Sequence, residues 1–130
     1  MSATSDGFSA GQRAAIDKAI REAETASRYE FSVYVGAADG ATRPFAERLH
    51  ASLSTPARSV LLMVDPAARM FEVVTGAEVR RVLDDGAVAL AAAAMQTDFA
   101  SGDLVGGITR GLQQLAGAAR SPQVLHTDNP

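Results

Sequence analysis

Residues 59–85, SVLLMVDPAARMFEVVTGAEVRRVLDD, decide the fold. Val60 to Val64 is an unbroken apolar run of strand length, and Asp65, Pro66, Ala67, Ala68 and Arg69 supply turn chemistry behind it. Phe71 and Val73 then alternate with Met70, Glu72 and Val74 until Gly76 breaks the extended pattern. So tight a connection makes the second strand antiparallel to the first. A strand with no polar face must be covered on both sides, which places Leu61 and Leu62 at the centre of the core.

Upstream, Ser9 and Gln12 form a capping box ahead of Ala15, Ile16, Ala19, Ile20 and Ala23, an apolar stripe at helical period. The charges on the outer side of that helix, with Asp17 and Arg21 as an i,i+4 pair, read as a solvated face. Glu30 to Val35 alternates as a strand and runs into the flexible stretch Gly36 to Ala41. Thr42 and Pro44 open a second helix carrying Phe45, Leu49 and Leu53 on one side, and Thr55 and Pro56 stop it. The helix between two strands makes a crossover, so those strands should be parallel and the unit right-handed.

Downstream, a short helix is predicted around Val79, Val82 and Leu83, followed by a longer one capped by Asp84 or Asp85 and rich in alanine. Asp103 caps a last helix with a seam of Leu104, Ile108, Leu112 and Leu115. The order α, β, α, β, β, α, α, α gives a three-layer α/β/α sandwich around a small mixed sheet, Rossmann-like in its crossover. Residues 8–120 read as one domain, residues 1–7 as a flexible N-terminus and residues 121–130 as a flexible polar tail.

The chain has 130 residues, 47% of them hydrophobic but only 5% aromatic, so its core must be built from Val, Leu, Ile and Ala. A net charge of −3 and a pI near 5.3 argue against nucleic acid as a partner, since that demands a concentrated positive field. No signal sequence is legible in MSATSDGFSAGQ, and the longest weakly apolar run, Gly86 to Met95, is about half the ~20 residues a bilayer span needs. A soluble, cytoplasmic chain without a transmembrane segment is expected. Lys18 as the sole lysine, beside many arginines and alanines, points to a GC-rich bacterial genome.

The second half of the text resembles the TPM family of domains, first grouped from thylakoid-lumen, photosystem-repair and receptor-accessory proteins. Glu30 stands at the first strand, Val60 to Val64 matches the apolar strand, Gly76 the first glycine of a glycine-rich stretch, Leu83 and Asp85 a Leu-Pro-Asp turn, and Phe99, Gly102 and Asp103 a Phe-Arg-x-Gly-Asp-Tyr segment. Where that family carries tyrosine, glycine, glutamate and glycine, this chain has Ala77, Glu78, Arg80 and Arg81, and it looks like an uncharacterised actinobacterial branch. The resemblance covers roughly Phe8 to Ala119. It implies either an accessory role in membrane-complex repair or envelope biogenesis, or the acid phosphatase and calcium-binding activities described for some members.

Chemistry is sparsely marked. There is no cysteine, the two histidines, His50 and His126, have no partner at ligand spacing, and Ser52, Ser54 and Ser59 sit in no nucleophile elbow. The best carboxylate cluster is Asp65 with Asp84 and Asp85, which could hold Ca²⁺ or Mg²⁺ beyond the carboxyl end of the parallel strand. Against this, an Asp before proline is a standard turn residue and the other two are standard helix caps. Glu78, Arg80 and Arg81 form a candidate ligand rim at the sheet's edge, although adjacent residues on a helix point apart. The sequence therefore favours a non-catalytic binding or accessory module whose partner is another protein and which needs no cofactor. The alternative is a metal-assisted phosphatase acting on phosphomonoesters through Asp65 with Asp84 or Asp85.

Overall fold

Strand β2, Ser59–Asp65, is buried along its whole length and lies in the middle of a three-stranded sheet of order β1-β2-β3. The computed structural model describes residues 7–120. β1, Glu30–Val35, pairs with β2 in parallel from Glu30 opposite Ser59 to Val35 opposite Val64. β3, Met70–Thr75, returns antiparallel, with Asp65 opposite Met70 and Val60 opposite Thr75. The direction of all three strands follows from their connections: a helical crossover before β2 and a four-residue turn after it.

Four helices surround this mixed sheet among the described residues: α1 Ala10–Ser27, α2 Thr42–Ala51, α3 Asp85–Ala100 and α4 Leu104–Ala119. The predicted helix around Val79 is a 3₁₀ turn, Val79–Arg81, and a second such turn, Pro56–Arg58, precedes β2. The expected flexible ends, residues 1–7 and 121–130, lie outside the described residues except for Gly7.

Alternation along the strands divides the core in two. Phe31, Val60, Leu62, Val64 and Val73 point to the side occupied by α1, α3 and α4, where Ile16, Met95, Ile108, Leu112 and Leu115 meet them. Leu61, Met63 and Val74 point to the other side, where Ala46 is buried and Phe45 and Leu49 of α2 complete the contact. Leu62 is fully buried and Leu61 nearly so, each contributing about 1.5–3 kcal/mol of apolar burial.

The caps hold as read. Ser9 Oγ accepts the Gln12 N–H at 3.1 Å while Gln12 Oε1 accepts the Ser9 N–H at 2.9 Å, closing the capping box on α1. Asp84 accepts the Ala87 N–H at 2.8 Å to cap α3, and Asp103 accepts the Gly106 N–H at 2.9 Å to cap α4. The i,i+4 ion pair on α1 joins Lys18 to Glu22, at 3.8 Å, in place of the expected Asp17–Arg21. α3 and α4 form an antiparallel hairpin drawn close by glycine: a Cβ at Gly111 would lie 2.3 Å from Met95 Sδ.

Gly76 is where β3 leaves the sheet. Its N–H donates to Ser59 O at 2.9 Å, and a Cβ there would stand 2.0 Å from Pro56 O and 2.4 Å from Ala57 O. The glycine is required by one backbone lying against another.

Candidate functional site

Beyond the end of β2, the turn into β3 and the turn between α3 and α4 face each other across a half-open cleft of about 450 Å³. Met70, Phe71, Phe99 and Leu104 give it apolar walls, with Asp65, Arg69 and Gln96 as its polar members. Phe71 and Phe99 pack edge to face with ring centroids 5.2 Å apart, fixing the wall where sheet meets helix. Met70 is 46% exposed, and Arg69 holds the turn in the left-handed region at φ 59°.

Among the described residues Asp65 is the one carboxylate lining the cleft, and it is only 6% exposed. Its Oδ2 accepts the Ala38 N–H at 3.0 Å and its Oδ1 accepts the Ala68 N–H at 3.1 Å. The first bond ties the loop after β1 to the sheet, and the second forms the turn into β3. A carboxylate so placed satisfies two backbone donors that would otherwise be orphaned.

Beside the cleft, Arg110 of α4 bridges Asp98 at 2.8 Å and Asp103 at 3.1 Å, bracing the α3–α4 turn. The hydrogen bond from Arg110, reinforced by its charge and opposed by partial burial, holds the Asp98 carboxyl below its ordinary value of 3.8.

Asp84 and Asp85 do not join Asp65. Because β3 runs back along β2, the chain reaches Leu83 at the opposite end of the sheet, about 20 Å away for a strand of this length. α3 then returns, so its C-terminal residues Gln96, Phe99 and Ala100 reach the cleft while its N-terminus stays remote. Asp84 is taken up by capping and Asp85 is exposed in the first turn. Among the described residues no group of three or more His, Asp or Glu side chains could hold a metal ion.

Glu78, Arg80 and Arg81 share the remote end of the sheet but do not converge on one another. Glu78 pairs with Arg58 at 3.0 Å, Arg80 donates to the carbonyl of Thr75, and Arg81 is exposed. His50 is buried, its Nε2 2.9 Å from Ser59 O, where it fastens the end of α2 to the start of β2. His126 lies outside the described residues.

The cleft residues Met70, Arg69 and Gln96 carry no motif and escape a reading by spacing. The signal that was present is Phe99 with Gly102, which marks the α3–α4 turn as one side of the cleft.

These features define a small mixed α/β domain with a lined cleft at one end of its sheet. The chain belongs to the family of domains of unknown function DUF5130, whose family model matches residues 2–116. It is 31% identical over 102 residues to the uncharacterized proteins Rv2468c and MT2543 of two Mycobacterium tuberculosis strains, a match covering 78% of this chain and 61% of each relative.

The BA42 protein of Bizionia argentinensis has a similar fold, with TM-score 0.80 at 22% identity over 92% of this chain and 86% of that one. So does the N-terminal domain of cg2496 from Corynebacterium glutamicum, at TM-score 0.72 and 14% identity, over 88% and 76% of the two chains. No helix among the described residues is long and apolar enough to cross a membrane.

Proposed function

We propose that this chain is a non-catalytic binding module whose cleft receives an apolar side chain from a protein partner. The observation that supports this reading is the state of Asp65. Among the described residues, the one carboxylate lining the cleft is buried and already bonded through both oxygens to backbone amides, while Met70, Phe71, Phe99 and Leu104 offer apolar surface beside it. An exposed methionine on such a wall suits contact with varied apolar groups, because its unbranched thioether adapts its shape. The reading needs no cofactor.

The finer assignment belongs to the same proposal: one Rossmann-like, three-layer domain over residues 8–120, akin to TPM domains of an actinobacterial branch, acting in the cytoplasm as an accessory to a membrane or envelope complex. Its support is the match of Gly76, Leu83, Asp85, Phe99, Gly102 and Asp103 together with helices packed against both sides of the sheet.

The test is selection of displayed random peptides on the wild-type chain, with binding mapped by amide chemical shifts. Selected peptides should carry Leu, Phe or Met, perturb Met70, Phe71 and Gln96, and lose binding to Met70→Asp. Selection of peptides that map elsewhere would refute the cleft. Mg²⁺- or Ca²⁺-dependent hydrolysis of p-nitrophenyl phosphate, abolished in folded Asp65→Asn, would install the phosphatase in its place.

A further inference from the structure

The two edges of the sheet are finished differently. Gly76 donates its N–H inward to Ser59, so by alternation the backbone groups of Phe71, Val73 and Thr75 point outward along β3. Two of those outward carbonyls are occupied: Arg43 Nη1 donates to Val73 O at 2.8 Å, and Arg80 donates to Thr75 O. Arg43 is itself held by Glu47 at 3.0 Å and Glu72 at 3.4 Å, and Glu72 also accepts from Thr42 Oγ1 at 2.8 Å. A strand approaching β3 would have to displace two guanidinium groups, which blunts that edge against pairing.

The outer edge of β1 is open by contrast. Gly36 donates inward to Val64 O, so Tyr34 and Ser32 also face β2, and the N–H and C=O groups of Phe31, Val33 and Val35 face outward. Glu24 Oε2 accepts the Phe31 N–H at 3.0 Å. Among the described residues, nothing takes the outward groups of Val33 and Val35, both of which are half-buried rather than covered.

α2 packs on β2 and β3, leaving the Ser32 and Tyr34 side of β1 only partly sheltered. We infer that β1 is a docking edge that takes an extended segment of another polypeptide as a fourth strand, held by backbone hydrogen bonds at Val33 and Val35.

The occupant follows from the chemistry of the edge. Two residues with both backbone groups presented at strand spacing are matched by an extended chain, whereas the outside of a helix offers no free N–H or C=O. Val33 and Val35 point toward the layer of α1 and α4, so the side chains of the added strand on that side should be apolar. A Lys or Arg opposite Phe31 would meet the Glu24 carboxylate. This surface lies on the far side of β2 from β3 and its cleft, and the inference stands apart from the cleft reading.

The probe is a capped eight-residue peptide of alternating Val and Thr ending in Lys, N-methylated along one edge so that it cannot stack into an extended sheet, and used at concentrations where it is monomeric. Its twin carries N-methyl groups on the two central amides of the free edge as well. With the first peptide, hydrogen exchange at the Val33 and Val35 amides should slow by about tenfold or more, and the twin should bind at least about tenfold more weakly. Val33→Pro, checked for folding by its amide spectrum, should lose the peptide in the same way, while the twin tests the idea with the protein unaltered.

Equal binding of the two peptides, no binding of either, or protection at Val73 and Thr75 instead would overturn the inference. Concentration-dependent dimerisation that protects Val33 and Val35 without peptide would overturn it in favour of pairing between two copies of the chain.

Discussion

Gly76→Ala is a one-carbon perturbation with a calculable consequence. The new Cβ would lie 2.0 Å from Pro56 O, 2.4 Å from Ala57 O and 2.5 Å from Ala57 C, all main-chain atoms that cannot rotate away. Relief requires the end of β3 and the Pro56–Arg58 turn to separate by roughly 1 Å, since side-chain carbons need more than 3.0 Å. Separation strains two hydrogen bonds that cross the same gap, Gly76 N–H to Ser59 O and Glu78 N–H to Ala57 O, both 2.9 Å.

Each such bond is worth about 1 kcal/mol net and overpacking costs about 1–3 kcal/mol, so the substitution should destabilise by about 2–5 kcal/mol. The Tm should fall by about 10 °C. Urea denaturation with an unchanged m-value is the assay. Gly117→Ala is the control: it sits on the exposed side of α4 with nothing within 4 Å, and should stabilise by about 0.5–1 kcal/mol through helix propensity. A cost below about 1 kcal/mol at Gly76 would refute the backbone-contact account. The contrast also bears on function, because a glycine kept only for the approach of an ion could take alanine without loss of stability in the ion-free chain.

Three further outcomes are expected. Leu62→Ala should cost about 2–5 kcal/mol in the same denaturation assay, because the side chain is fully buried in the central strand. Asp65→Asn should cost about 1–3 kcal/mol, since an amide presents one acceptor where Ala38 and Ala68 require two; retained stability would mean the two turns do not depend on it. Arg110→Gln should return the Asp98 carboxyl toward 3.8 in an NMR titration. A depressed carboxyl pKa stabilises the fold above 3.8 and loses that contribution as pH falls through the lower folded value, so wild type and variant should differ at neutral pH and converge in acid. A titration unchanged by the substitution would show that Arg110 is not the cause.

The strands were legible because their signals are local. Val60 to Val64 has no polar face to expose, the turn after Asp65 is too short for anything but reversal, and a helix between β1 and β2 enforces their parallel pairing. The caps at Ser9, Asp84 and Asp103 were legible for the same reason, each being a contact spanning three residues. The element around Val79 shrank from a helix to a 3₁₀ turn because Glu78 N–H is spent on Ala57 O and only a few residues separate Gly76 from the cap of α3. That constraint comes from the Pro56–Ala57 turn, some twenty positions earlier in the chain, and no local pattern announces it.

The carboxylates show the limit of spacing as an argument. Asp65 ends a parallel strand and Asp84 and Asp85 follow a strand, so each sits where a ligand site of an open α/β sheet would be sought, provided both strands run the same way. β3 runs the other way, which is itself dictated by the turn at Pro66, and the residues after it are delivered to the opposite end of the sheet. Only after α3 has crossed the full height of the molecule does the chain come back to Asp65, and what it brings is Gln96, Phe99 and Ala100 instead of acids. The reversal that makes β3 an edge strand thus also keeps Asp84 and Asp85 away from the space beyond β2, where Met70, Phe71, Phe99 and Leu104 line a cleft together with Asp65, Arg69 and Gln96. At that end Met70, Phe71, Phe99 and Leu104 form the apolar part of the walls, and Asp65 is the joint that holds the two flanking turns in place.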